Sequence, residues 1–201
     1  MTAKQLLDMN GDFRSSPLLA AARRLHMICE ERAIPYCIVG GLAVVRNGAV
    51  RTTEDIDFLT VRESWNHASP FPPDFIKTAE EACSDTRTGV SLDVLFAGDD
   101  WGMDFSLPDP RDVGEYDKEL GAMFIRLLSL IELKCAIYLQ KLRDEGIELA
   151  AKDLADVVEL MRRNRGVISE RSLDDFHPSV HDACTKIWEK LRSQDKTLSS
   201  P

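Results

Sequence analysis

The sequence predicts an α/β fold (α+β in its segregation): a small mixed sheet flanked by helices, followed by a helical C-terminal part. Three observations carry this. Tyr36–Thr60 reads as a strand, a Gly-Gly turn, a short helix and a second strand. Val90–Phe96 reads as a further strand, and from Phe124 onward apolar residues recur at helical spacing. The expected division is a core over residues 14–117, a helical region packed on it over 118–192, and a disordered polar tail over 193–201.

Taken in order, Met1–Phe13 is expected to be loose. Pro17–Arg32 is expected as a helix capped by Ser16, with apolar positions at Leu18, Leu19, Ala22, Leu25, Met27 and Ile28. His26 is expected at its surface. Ile34-Pro35 stops this helix and launches the strand Cys37-Ile38-Val39. Gly40-Gly41 leads into a short helix, Asn47-Gly48 marks a turn, and Asp55–Thr60 forms the second strand. Residues 61–74 are rich in chain breakers. Phe75–Cys83 is read as either a helix or the outgoing arm of a hairpin, Asp85–Gly89 as a turn, and residues 97–117 as a long acidic loop in which Asp99, Asp100 and Asp104 are solvated. A helix over Phe124–Leu142 is expected, with Ser129 and Glu132 as its capping box. Ala150–Arg163 is expected as an amphipathic helix with Ala150, Ala151, Leu154, Val157, Val158 and Met161 buried. Ser169–Leu191 completes the helices.

Composition narrows the function classes. At 201 residues, with 44% apolar and 29% charged, the chain resembles an ordinary globular protein. No apolar run approaches the roughly 18–20 residues that cross a bilayer, and the opening segment lacks the pattern of a secretion signal. The five cysteines, Cys29, Cys37, Cys83, Cys135 and Cys184, are scattered and without a Cys-x-x-Cys pair. They are expected as reduced, buried thiols in a cytoplasmic protein rather than a disulfide framework or zinc site. The net charge of −9 argues against wholesale electrostatic binding of nucleic acid, while a local basic patch for RNA stays compatible with it.

The chemistry concentrates in YCIVGGLAVVRNGAVRTTEDIDFLT, residues 36–60. On a strand Asp55 and Asp57 point to one face and Ile56 to the other. Two carboxylates side by side repel, and are held cheaply only when paired or bound to a cation such as Mg²⁺ (or Mn²⁺). Gly40-Gly41 lets the backbone approach a ligand closely and leaves a helix N-terminus for phosphate. A phosphate loop followed by paired aspartates describes phosphoryl or nucleotidyl transfer. Asp93, in Ser91–Phe96, is a carboxylate on the face of a hydrophobic strand opposite Leu92, Val94 and Phe96, a place that calls for a partner.

Gly40-Gly41 and Asp55-x-Asp57, separated by residues 42–54, resemble the signature of the DNA polymerase β-like nucleotidyltransferase superfamily, and the longer string is similar to its small bacterial AbiEii-like members. The resemblance implies that Gly40 and Gly41, with Thr53, hold an NTP, and that Asp55 and Asp57 bind Mg²⁺; Arg51, just before the aspartates, is expected to contact phosphate or pair with an aspartate, its plain alternative being a solvated turn residue. Asp93 would be the third catalytic carboxylate. Lys134, in Leu130-Ile-Glu-Leu-Lys134, would face the nucleotide phosphates; its plain alternative is a lysine with a packed stem and a wet ammonium. Lys152, Asp153 and Asp156, in a string that recurs in such proteins, are secondary candidates, although Lys152 and Asp156 have the spacing of a simple helical ion pair. Relatives of this kind act in toxin–antitoxin or phage-defence systems, on tRNA ends, proteins or antibiotics. Two other classes remain: a nucleotide-binding regulator without turnover, and an antitoxin-type interaction protein. Such relatives also carry a helix where residues 61–74 show breakers, so a shortening is expected there.

Overall fold

The computed structural model describes residues 16–67 and 75–198, with side chains to 194. The chain forms two compact units. Among the described residues, one contains 16–67, 75–99 and Ser106–Arg126, and the other Asp100–Phe105 and 127–198.

The first unit is built on a seven-stranded sheet. Its elements are α1 (Pro17–Glu31), β1 (Tyr36–Ile38), α2 (Gly40–Arg46), β2 (Asp55–Thr60), α3 (Arg62–His67), β3 (Phe75–Ala79), β4 (Ala82–Asp85), β5 (Ser91–Phe96), α4 (Pro110–Val113), β6 (Gly114–Asp117) and β7 (Ala122–Ile125). The strand order is β3-β4-β5-β2-β1-β7-β6. β2 runs parallel to β5 and β1 parallel to β7, while the other neighbours are antiparallel. The core follows the alternation of the strands. Ile56 and Phe58 of β2, Leu92, Val94 and Phe96 of β5 and Phe124 of β7 are almost wholly buried, and each such side chain is worth about 1.5–3 kcal/mol of burial.

Several elements depart from the sequence reading, each for a local reason. Ser16 sits at the N-cap of α1 but makes no side-chain cap bond; its carbonyl accepts from Ala20 N at 3.0 Å. Met27, expected inward, is 68% exposed. Arg62–His67 is helical despite the expected shortening, because the breakers lie after it. Its Trp65 is buried against Phe58 and Phe96. Residues 68–74 lie outside the described residues, as does the N-terminal stretch expected to be loose. Phe75–Asp85 takes the hairpin alternative. The expected acidic loop contains α4 and β6, and β6 pairs with β7. The turn between them is held by the Asp117 carboxylate, which accepts from Glu119 N and Leu120 N at 3.0 Å each, and it closes at Gly121, φ +72°. The sheet unit therefore extends to Arg126, beyond the expected boundary at 117.

The second unit is helical: α5 (Leu127–Asp144), α6 (Ile147–Arg163), α7 (Glu170–Leu173) and α8 (Pro178–Leu198). Gly146, φ +92°, turns the chain between α5 and α6. Leu130, Ile131, Val157, Leu160, Met161, Val180, Cys184 and Trp188 form its core. α5 begins two residues before Ser129, so the expected capping box does not form. Glu132 accepts from His177 N at 2.6 Å instead. α8 runs on into the stretch expected as a disordered tail, and residues 199–201 lie outside the described part. All five cysteines are buried and unbridged, as expected. Among the described residues no helix is long and apolar enough to cross a membrane.

Candidate active site

β1 ends at Ile38, and the Val39 N–H donates to the Asp57 carbonyl at 2.8 Å, stitching the end of β1 to β2. The chain then turns sharply into α2 at Gly40, φ +56°. A Cβ at Gly40 would stand 1.7 Å from Asp57 Oδ2, so the carboxylate of Asp57 occupies the room that only glycine leaves. A Cβ at Gly41 would stand 2.3 Å from Thr53 Oγ1 and 3.1 Å from Arg51 Nη2. Arg51 and Thr53 thus close on Gly41, and Asp57 on Gly40. Asp55 joins them through Thr53 Oγ1, which donates to Asp55 Oδ1 at 3.0 Å.

The third carboxylate arrives from the neighbouring strand. In the parallel β2–β5 ladder Asp57 lies beside Asp93 and Asp55 beside Ser91, strands being about 4.8 Å apart. Ile56, Phe58, Leu92 and Val94 point into the core, while Asp55, Asp57 and Asp93 share the opposite face, half-buried. Burial, and then the charge of Asp55, push the Asp93 carboxyl above its ordinary range. This is the repulsion that a shared face of carboxylates produces. Three oxygen donors so placed fit a hard divalent cation by their chemistry. As placed here they share a face rather than form a closed ligand sphere, and among the described residues no group of three or more His, Cys, Asp or Glu is arranged as a metal site. Ser91, exposed beside Asp55, belongs to the same surface, as its place two residues before Asp93 on one strand face implies.

The candidates of the helical unit gather around Lys134. Lys134 Nζ lies 3.0 Å from Asp153 Oδ1 and 3.0 Å from Asp156 Oδ2, and Lys141 Nζ lies 2.8 Å from Asp153 Oδ2. Lys134, Asp153 and Asp156 are all buried. The ammonium of Lys134 does not reach water as its plain alternative required; it is held between two carboxylates of α6. The expected Lys152–Asp156 pair is replaced by this arrangement, and Lys152 is exposed. The buried stripe of α6 turns accordingly: Asp153, Asp156 and Leu160 face inward, Ala151 is exposed, and Leu154 and Val158 are half-buried. Burial alone would raise the Asp153 carboxyl, but Lys134 and Lys141 outweigh it and hold it below the usual carboxylate range.

No family model matches the chain, and no curated protein matches it. Solved structures do. An antigenic nucleotidyltransferase-like protein from Paracoccidioides brasiliensis is similar over 92% of this chain and 93% of its own, at 17% identity and a TM-score of 0.59. ANT(2")-Ia, solved in complex with adenylyl-2"-tobramycin, is similar over 89% of this chain and 97% of its own, at 12% identity and a TM-score of 0.50. At these identities the likeness speaks for architecture. The mixed seven-stranded sheet flanked by helices is a nucleotidyltransferase fold.

Proposed function

We propose that the protein is a metal-dependent nucleotidyltransferase that moves an NMP from an NTP to a hydroxyl acceptor. The observation that carries this reading is the seating of Asp57 against Gly40, with Asp55 and Asp93 on the same sheet face. It joins a turn suited to phosphate and a set of hard oxygen ligands within one fold of the appropriate kind.

In this reading the Gly40-Gly41 turn, bordered by Arg51 and Thr53, receives the β- and γ-phosphates. Asp55 and Asp57 would hold Mg²⁺ or Mn²⁺ on the phosphates, and Asp93 would complete the ligand set near the acceptor. The cation, when bound, supplies charge neutralisation for the attacked phosphate and the leaving group. The acceptor hydroxyl attacks the α-phosphorus, one P–O bond forms, the bond to the β-phosphate breaks, and pyrophosphate leaves. In this reading Asp93, on the acceptor side of the carboxylate face, takes the hydroxyl proton. Lys134, held by Asp153 and Asp156, supports the helical unit in this account; a direct contact with phosphate would require it to leave two buried carboxylates. The acceptor is an RNA or tRNA end, a protein or a small molecule. An AbiEii-like role in a toxin–antitoxin or phage-defence system is the biological setting that the Gly-Gly and Asp-x-Asp motifs suggest.

The test is pyrophosphate release from each of the four NTPs with Mg²⁺, in the presence of total RNA and cell lysate, for the wild type and Asp57→Ala. The account expects release with one or more NTPs and a fall of at least ~10²-fold in the variant, the scale of losing one preorganised electrostatic contributor. Equal release by both proteins contradicts it.

A further inference from the structure

Thr53 touches both halves of the site. Its Oγ1 donates to Asp55 Oδ1 at 3.0 Å, and the same side chain fills the space beside Gly41, where a Cβ would come within 2.3 Å of Oγ1 and 2.9 Å of the Thr53 Cβ. Threonine is stiff at χ1, so a wedge of this kind has few other places to go. Asp55 has reason to move without it. Asp55, Asp57 and Asp93 share one face, where like charges disfavour one another. Mutual repulsion favours a carboxylate that swings toward water. The bond from Thr53 opposes this by engaging one oxygen, Oδ1, and leaving Oδ2 to a cation.

We propose that Thr53 is a positioning residue for metal binding: its hydroxyl fixes the Asp55 carboxylate while its side chain packs against Gly41, so that one residue sets the metal ligand and the phosphate turn together. This rests on the nucleotidyl-transfer reading, but it assigns Thr53 to the carboxylate rather than to the nucleotide. Partners of this outer kind typically change metal affinity by 10–100-fold when removed.

The experiment compares the wild type, Thr53→Val, which keeps the shape and loses the donor, and Thr53→Ser, which keeps the donor. Binding of Mn²⁺ alone is read from loss of the free-ion signal in electron paramagnetic resonance. The Mg²⁺ dependence of pyrophosphate release is read in parallel. Thr53→Val is expected to weaken Mn²⁺ by about 10-fold or more and to raise the Mg²⁺ needed for half-maximal rate by a similar factor, with KM for NTP at saturating Mg²⁺ changed by less than about twofold. Thr53→Ser is expected to stay within about threefold of the wild type on each measure. Should Thr53→Val fail to fold, Thr53→Ala makes the same comparison. Unchanged Mn²⁺ affinity in Thr53→Val, or equal losses in the Val and Ser variants, overturns the proposal. Wild-type protein that takes up no Mn²⁺ overturns it together with the nucleotidyl-transfer reading, whereas uptake indifferent to Thr53 overturns the positioning role alone.

Discussion

Gly40 and Gly89 both hold a positive φ, +56° and +71°, but a Cβ at Gly89 would meet nothing within 4 Å, whereas one at Gly40 would strike Asp57. The pair separates backbone strain from the cost of disturbing the carboxylate. Gly89→Ala is expected to cost about 1–2 kcal/mol from the left-handed backbone alone and to leave turnover near wild type. Gly40→Ala carries the same strain plus a clash, so urea melts should show a larger loss and pyrophosphate release should fall by at least ~10²-fold. Asp93 offers a second test at this scale. Its folded carboxyl is raised above 3.8, so the folded state holds the proton more tightly than the unfolded chain does. Stability at this site is therefore full below the unfolded value and declines as pH rises through the folded one. Asp93→Asn removes that penalty. Its melting temperature is expected to exceed wild type by a margin that grows from pH 3 to pH 7, while turnover is lost. A margin that shrinks with rising pH would contradict the assignment.

At the scale of elements, the helical unit turns on the α5–α6 pair. Lys134→Ala leaves Asp153 and Asp156 buried without the lysine between them, at an expected cost of about 3–5 kcal/mol in chemical denaturation. Replacing Lys134, Asp153 and Asp156 together by apolar residues should cost less than that single change, because it removes the stranded charges as well. The depressed carboxyl of Asp153 works in the opposite direction to Asp93: its stability is present above the unfolded pKa and is lost as pH falls through the folded one. This cluster shows where sequence periodicity stops. Lys134 was read as facing phosphate or water, but its partners lie on another helix, and pairing them changed which face of α6 is buried. Asp85 is a parallel case: it lies fully buried in an ion pair with Arg24 of α1, which no local pattern announces. β6 and β7 were missed because each has only four residues, too few for alternation to stand out, and because β7 pairs with the distant β1. The site was legible for the converse reason. Gly40, Gly41, Arg51, Thr53, Asp55 and Asp57 lie within one short stretch, the period-2 spacing of β2 puts Asp55 and Asp57 on one face, and Asp93 stood out as a carboxylate in an apolar strand.

At the scale of the whole molecule, the sheet unit alone holds the carboxylates and the Gly-Gly turn, while the helical unit has its own core and its own buried charges. A net charge of −9 leaves the acceptor open, since a hydroxyl on a small molecule or protein needs no basic surface and an RNA end needs only a local one. What distinguishes nucleotidyl transfer from other uses of bound NTP is which phosphorus is attacked. The direct measurement follows label from NTP carrying ³²P at the α or the γ position, with Mg²⁺, cell lysate and total RNA. The account predicts α-label on a larger acceptor and γ-label in pyrophosphate, both abolished in Asp57→Ala. γ-Label on an acceptor or in free phosphate, or α-label that never leaves the nucleotide, would contradict it.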